Sequence, residues 1–351
     1  MDFIKKQIDF SLDGSNMKDA IKSFPSQIEK SFDMMKDWIS LNEYGEINKI
    51  MVIGMGGSAI GGDLAKVIIQ DNCSIPIFIN RSYSIPKWVD DNTLIIASSY
   101  SGNTEETLSA FHQCYDRKCP IIILSTGGII GKYASEMHLD KITMPKDFQP
   151  RAALGFSFTL IILLLKYFNF INEDILNEVK RSIISMKKIK LDIPNSSNIA
   201  LHIASEIHGT CPIIYGSEDL GWIVALRLKG QLAENSKILS FHNHFPEQNH
   251  NEIEGWTINE DIMKRFSVIW IKDEADHKST KLRMDISATL IDSISAKQIN
   301  ICQSGHSRIE RLINLIHLVD WISYYLALFN GVDPTPVNRI QELKRKIAQS
   351  K

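Results

Sequence analysis

The chain lacks any cysteine pattern. Cys73, Cys114, Cys119, Cys211 and Cys302 are odd in number and scattered, and no Cys-x-x-Cys pair occurs. That argues against a disulfide framework or cysteine zinc site and reads as reduced thiols in a cytoplasmic protein. An excess of one charge is also missing. The formal net charge is −2, so no basic field is present to draw nucleic acid. Residues 1–11 carry Asp2, Lys5, Lys6 and Asp9 where a leader would need an apolar core. The longest apolar stretch, residues 153–165, stops at Lys166 and is too short to span a bilayer. It predicts a buried helix and no membrane association. No His-Glu-x-x-His or closed Cys/His quartet appears around His242, His244 and His250, so no metal is expected there.

What is present is an ordinary globular composition, 44% hydrophobic and 23% charged, in a length that suits about two domains. Residues 17–42 carry Ile21, Phe24, Ile28, Phe32 and Met35 at helical spacing, with Pro25 splitting the segment into two helical pieces. From residue 49 onward, apolar runs at 50–53, 77–80, 94–98 and 121–125 alternate with helical segments from Ser58, from Thr104 and near 129–137. Continuously apolar short runs separated by helices are the mark of a parallel sheet covered on both faces. A charged helical stretch after Asn172 and a loop at 192–197 place a domain boundary near residue 190, giving domains 1–190 and 191–351. The pattern then recurs, with strands at 212–217, 266–271 and 299–302 and a long helix from Ser307. The expected fold is α/β: two doubly wound parallel-sheet domains with flanking helices.

Two loops stand out. Gly54-Met55-Gly56-Gly57-Ser58 follows the first strand, and Ser99-Tyr100-Ser101-Gly102-Asn103-Thr104 follows the third; each leads into a helix. A strand, a Gly/Ser loop and a helix N-terminus make an anion site, because free backbone N–H groups and the positive helix end point the same way. The hydroxyls of Ser58, Ser99, Ser101 and Thr104 add donors. Neither loop holds a lysine or arginine, so the cradle suits one phosphate monoester better than a polyphosphate, which recruits Lys and Mg²⁺.

The second half has no such loop. It has a dense polar block instead: Glu234-Asn235-Ser236-Lys237, His242-Asn243-His244, then Asn249-His250-Asn251-Glu252. The run 221–233 is apolar and helical, so Glu234 falls at the C-terminal end of a helix. The negative helix end and desolvation would both raise its pKa, as suits a general base; an ordinary solvated helix-end glutamate is an equal alternative. His250 is the histidine best placed for proton transfer. Arg151, just before the buried run, could either snorkel to the surface or stabilise an oxyanion. After a rigid turn at 331–337, a helix carries Ile340, Leu343 and Ile347 on one face, with Lys344, Arg345 and Lys346 beside them.

Taken together these motifs resemble the bifunctional phosphoglucose/phosphomannose isomerases, a branch of the phosphoglucose isomerase superfamily with two sugar-isomerase (SIS) domains. The resemblance covers roughly residues 40–345. It rests on the two loops, Pro150-Arg151, Glu234-Asn235, Asn249-His250-Asn251-Glu252, and Asp333-Pro334 with Leu343-Lys344, in that order. It implies a small-molecule sugar phosphate held by Gly57, Ser58, Ser99, Ser101 and Thr104. It implies Glu234 as the base between C1 and C2, Arg151 as the enediolate stabiliser, and His250 and Lys344 as aids to ring opening. It further implies a homodimer in which His250 comes from the partner subunit, and no cofactor. Thr335 is the candidate for the threonine that this family associates with the mannose epimer. A non-catalytic sugar-phosphate regulator would need the loops but not Glu234, His250 or Lys344. Another sugar-phosphate isomerase, or the isomerase domain of an amidotransferase, is the remaining alternative; no glutaminase half is evident.

Overall fold

The computed structural model describes residues 8–350. Residues 1–7, part of the stretch read above for a leader, lie outside the described residues. The chain divides into two compact units, Lys22–Lys188 and Ile189–Lys351, and the segment before Lys22 groups with the second.

That segment ends in α1 (Met17–Lys22), and α2 (Phe24–Met35) follows with Pro25 in its first turn. Proline fits there because the first-turn N–H groups have no intrahelical partner. The first unit then runs β1 (Lys49–Ile53), α3 (Gly56–Ile69), β2 (Ile77–Asn80), β3 (Thr93–Ser98), α4 (Glu105–Asp116), β4 (Ile121–Ser125), α5 (Gly128–Glu136) and β5 (Asp140–Thr143). α6 (Leu154–Tyr167) and α7 (Glu173–Lys188) close it. All strands pair in parallel in the order β2-β1-β3-β4-β5. Every residue of β3 and β4 is buried, as a sheet covered on both faces requires. The apolar run at 153–165 lies in α6, buried from Leu154 through Leu165.

The second unit runs α8 (Ile199–Ile207), β6 (Cys211–Ser217), α9 (Gly221–Glu234), β7 (Phe241–Phe245), β8 (Phe266–Ile271), α10 (Lys278–Ile291), β9 (Lys297–Ile301), α11 (Arg308–Phe329) and α12 (Asn338–Gln349), with short helical turns between β7 and β8. Its four strands are also parallel, ordered β7-β6-β8-β9. α11 is long and apolar enough to cross a bilayer by length and composition, which the sequence reading of 153–165 did not consider; 94% of its apolar window is buried in the fold. Its polar face meets α9 in a continuous seam. Arg227 makes a two-point ion pair with Asp320, both contacts at 2.8 Å, and Gln231 Nε2 donates to the same carboxylate at 3.0 Å. Further along, Asn235 Nδ2 donates to Ser323 Oγ at 2.9 Å and Ser236 Oγ to the Ser323 carbonyl at 2.6 Å. This seam fixes how far α9 can rotate or slide, and so fixes its last residue, Glu234.

Two strands were not foreseen, and both are sheet edges. β5 begins at Asp140, whose carboxylate accepts from Tyr44 Oη (2.6 Å), Leu41 N (2.7 Å), Ser40 Oγ (2.8 Å) and Asn42 Nδ2 (3.1 Å). β7 is Phe-His-Asn-His-Phe, pairing only with β6. Edge strands need not be apolar throughout, so the apolar-run signal misses them.

Candidate active site

Gly57 and Ser58 lie in the first turn of α3, and Ser99, Ser101 and Thr104 fall between β3 and α4, with Thr104 at the position that caps α4. Ser58 Oγ accepts from Tyr100 N at 3.3 Å, which ties the first loop to the second. Ser99 Oγ donates to Thr104 Oγ1 at 3.3 Å, and Ser101 Oγ accepts from Asn103 N at 3.3 Å. The cradle's hydroxyls are thus preset by their own contacts. Both loops stand at the carboxyl edge of the sheet, where open parallel sheets bind ligands.

Gly57 has a second role. A Cβ there would sit 2.8 Å from the Pro150 carbonyl oxygen and 3.1 Å from Arg151 Cα. Only hydrogen fits, and its absence of a side chain lets the Pro150–Ala152 turn press against the first turn of α3. Arg151, read from sequence as either snorkelling or stabilising, is 3% exposed and stands beside the cradle. The surface reading is set aside.

In the second unit, Glu234 is the last residue of α9 and is half-buried, between the buried base and the solvated helix end weighed above. Lys237 Nζ donates to the Glu234 carbonyl and, at 3.2 Å, to the Pro334 carbonyl. Thr335, next along, is buried, and its N–H donates to Asp333 Oδ1 at 2.8 Å. Lys344 is exposed midway along α12, the helix that this turn starts. Glu234, Thr335 and the root of the Lys344 helix therefore gather at one end of the unit.

His250 does not join them. A parallel β-α-β crossover returns the chain to the starting edge, so the end of α9 and the segment before β7 lie at the amino edge of the sheet. His250 follows β7, at the carboxyl edge. A strand of this length spans roughly 15 Å, so the backbones of the two groups stand at opposite edges of the sheet. The loop bearing His250 is firmly held. Glu252 accepts from Tyr215 Oη at 2.5 Å and from Asn243 Nδ2 at 2.6 Å, while Trp256 Nε1 donates to Tyr215 Oη at 3.1 Å. Burial and the Glu252 carboxylate push the Tyr215 phenol up, so it stays a donor. His250 itself is exposed. Of the other histidines, His244 Nε2 meets Glu218 Oε2 at 2.9 Å, and burial lowers the pKa of His242. Among the described residues, no group of three His, Cys, Asp or Glu side chains could hold a metal ion.

Comparison with known proteins decides the family. Residues 196–347 match the bacterial phospho-glucose isomerase C-terminal SIS domain. A bifunctional phosphoglucose/phosphomannose isomerase of Caldicellulosiruptor bescii is 40% identical over 95% of this chain and 100% of its own. The chain belongs to the bifunctional phosphoglucose/phosphomannose isomerase family. The Aquifex aeolicus protein of the same name is 32% identical over 91% of this chain and 99% of its own. A hypothetical protein from Thermus thermophilus, 13% identical, shares the fold with a TM-score of 0.70, covering 95% of this chain and 91% of that one.

Seen as a member of this isomerase family, the chain has site features that the sequence reading passed over. Chief among them is a third loop, Thr126-Gly127-Gly128 after β4, which props the serine loop. Thr126 N donates to Tyr100 O (3.0 Å), Ile129 N to Asn103 Oδ1 (3.0 Å) and Ile130 N to Gly102 O (3.0 Å). Gly102 adopts φ +71°, with the Gly127 carbonyl where a Cβ would stand, so no other residue fits. The Gly-Gly pair was the available signal. The Arg227–Asp320 seam had none, because its partners are far apart in sequence.

Proposed function

We propose that this chain interconverts glucose 6-phosphate and mannose 6-phosphate with fructose 6-phosphate through a cis-enediolate. The observation that carries the reading is the cradle of backbone amides and hydroxyls, on loops with no lysine or arginine of their own, in a chain of this family. Such a cradle grips a single phosphate and leaves the sugar carbons free to react. Gly57, Ser58, Ser99, Ser101 and Thr104 hold the phosphate. Glu234 moves a proton between C1 and C2, and Arg151 stabilises the charge that develops on the oxygens. Lys344 and His250 assist ring opening, and Thr335 hydrogen-bonds a sugar oxygen in either epimer. The two aldoses differ only at C2 and lose that centre in a common enediol, so one base serves both when rotation about the C2–C3 bond presents either face of C2 to it. The reaction needs a base and polarised oxygens, not a redox group.

The protein works as a homodimer with its active site at the subunit interface, and His250 reaches the sugar from the partner. What supports this is the placement of His250 and Glu234 at opposite ends of β7. The scattered thiols fit a cytoplasmic enzyme.

A coupled assay of fructose 6-phosphate formation from each aldose phosphate tests the reading. Turnover of both is expected. Turnover of glucose 6-phosphate alone would leave a plain glucose 6-phosphate isomerase, and turnover of neither would leave a binding protein.

A further inference from the structure

We infer that Lys237 is a positioning residue for the isomerase reaction, clamping the end of the Glu234 helix to the turn that carries Thr335. The inference rests on the reading of Glu234 as the base.

Lys237 occupies a helix-ending position that favours glycine. α9 ends in a wrapped turn: Asn235 N donates to Gln231 O (2.7 Å), Ser236 N to Leu232 O (3.1 Å) and Ile238 N also to Leu232 O (3.2 Å). The bond from Ile238 back to Leu232 requires the residue between the helix and Ile238 to turn left-handed, and Lys237 does so with φ +60°. Glycine is the residue such a helix ending favours, since it alone adopts that backbone without steric cost. A lysine here carries strain that glycine would remove, but Lys118, His138 and Asn169 end helices with the same left-handed backbone, so the case for Lys237 rests on what its side chain touches.

The side chain reaches both ways. Its ammonium donates to the carbonyl of Glu234, one of the last carbonyls of α9 and at the negative end of the helix. It also donates to the carbonyl of Pro334 at 3.2 Å. The two carbonyls belong to elements that follow different strands, β6 and β9, and that meet at the amino edge of the sheet. Asn330 Nδ2, donating to the Ser236 carbonyl at 2.9 Å, holds the same two segments together from α11. Lys237 thus fixes the backbone of Glu234 relative to the turn of Thr335 and the start of the Lys344 helix. A displacement of the base by an ångström is enough to cost a large factor in rate.

Lys237→Gly is the decisive variant, because it relieves the left-handed backbone while removing the ammonium. We expect thermal stability equal to or above that of the unaltered enzyme, kcat for both aldose phosphates lowered ~10–100-fold, and KM changed by less than about threefold, since the phosphate contacts are elsewhere. Lys237→Arg, which keeps a long cationic donor, should restore most of the lost kcat. A Lys237→Gly enzyme with unaltered kcat overturns the inference, as does a loss of kcat that Lys237→Arg shows equally. Glu234→Gln separates this from the underlying reading. If that variant is active, the base assignment falls and the clamp with it; if it is inactive while Lys237→Gly is unimpaired, the clamp alone falls.

Discussion

The two units thread their strands alike: β2-β1-β3-β4 in the first matches β7-β6-β8-β9 in the second, all parallel. They differ in what lies at the edges of those sheets. The first unit builds three glycine- and hydroxyl-rich loops at its carboxyl edge, braced against each other by hydrogen bonds from backbone N–H groups to carbonyls and side chains. Among the described residues, the second unit has no matching set of loops there. Its candidate base stands at the amino edge, at the end of a helix, and a buried seam of charged and polar groups holds that helix in place. Binding an anion needs many preset N–H and O–H dipoles, which tight loops supply. Holding a reacting carboxylate needs a rigid element with a fixed rotation, which a helix locked by Arg227–Asp320 supplies. On the proposed reading, one topology serves recognition in one half and proton transfer in the other.

The largest expected effect separates these roles directly. Glu234→Gln should lower kcat by ~10²–10⁴ for both aldose phosphates, with sugar-phosphate affinity within a few-fold by calorimetry. His250→Gln should also be severely impaired. If His250 serves the partner's site, mixing the two inactive variants regenerates one intact site in each mixed dimer. Activity recovered on mixing is the expected result. No recovery in dimers shown to have exchanged subunits would mean that both groups serve the site of one chain.

How much of this could be read beforehand follows from where the information resides. The cradle was legible because Ser58, Ser99, Ser101 and Thr104 sit in contiguous loops after apolar strands, and local sequence dictates both. Glu234 at a helix end was legible because the apolar run 221–233 stops there. The separation of Glu234 from His250 was not, because it depends on β7, whose polar edge sequence hides a strand. Nor was the press of the Pro150–Ala152 turn on Gly57, a contact between residues over ninety positions apart. Long-range packing of this kind leaves no spacing to read.

A second way to sharpen the contrast is pH. The second unit buries a histidine: His317 on α11 accepts from Trp321 Nε1 at 3.2 Å, and burial lowers its pKa from 6.5 to about 4. The unfolded chain takes up this proton near pH 6.5 and the folded chain only near pH 4. Stability from this group is therefore fully present above pH 6.5, falls as pH drops through that window, and levels off below it. The full loss is about 3 kcal/mol. Unfolding free energies of the unaltered protein and His317→Asn should converge as pH falls from 7 to 4. Parallel curves would refute a neutral buried His317. By hydrogen exchange, the acid weakening should appear first in the second unit.

The smallest effects come from a matched pair of glycines, one in each unit, each changed to alanine. At Gly57 the added methyl meets backbone, the Pro150 carbonyl and Arg151 Cα, which cannot swing aside as a flexible side chain could. The Pro150–Ala152 turn must withdraw from the first turn of α3, loosening the phosphate amides and Arg151 together. KM for sugar phosphate should rise about tenfold, equivalent to about 1.4 kcal/mol of binding. Gly230 is exposed in the interior of α9, one turn before Glu234, and a Cβ there meets nothing within 4 Å. Alanine at that site lowers the backbone entropy of the unfolded chain and removes a weak helix former, so it should stabilise by up to about 1 kcal/mol, with kcat and KM unchanged. Equal kinetics for Gly57→Ala and the unaltered enzyme would remove the close approach of Arg151 from the account of the cradle. A loss of kcat in Gly230→Ala would show that α9 must flex to deliver Glu234, contrary to the rigid placement argued from its polar seam.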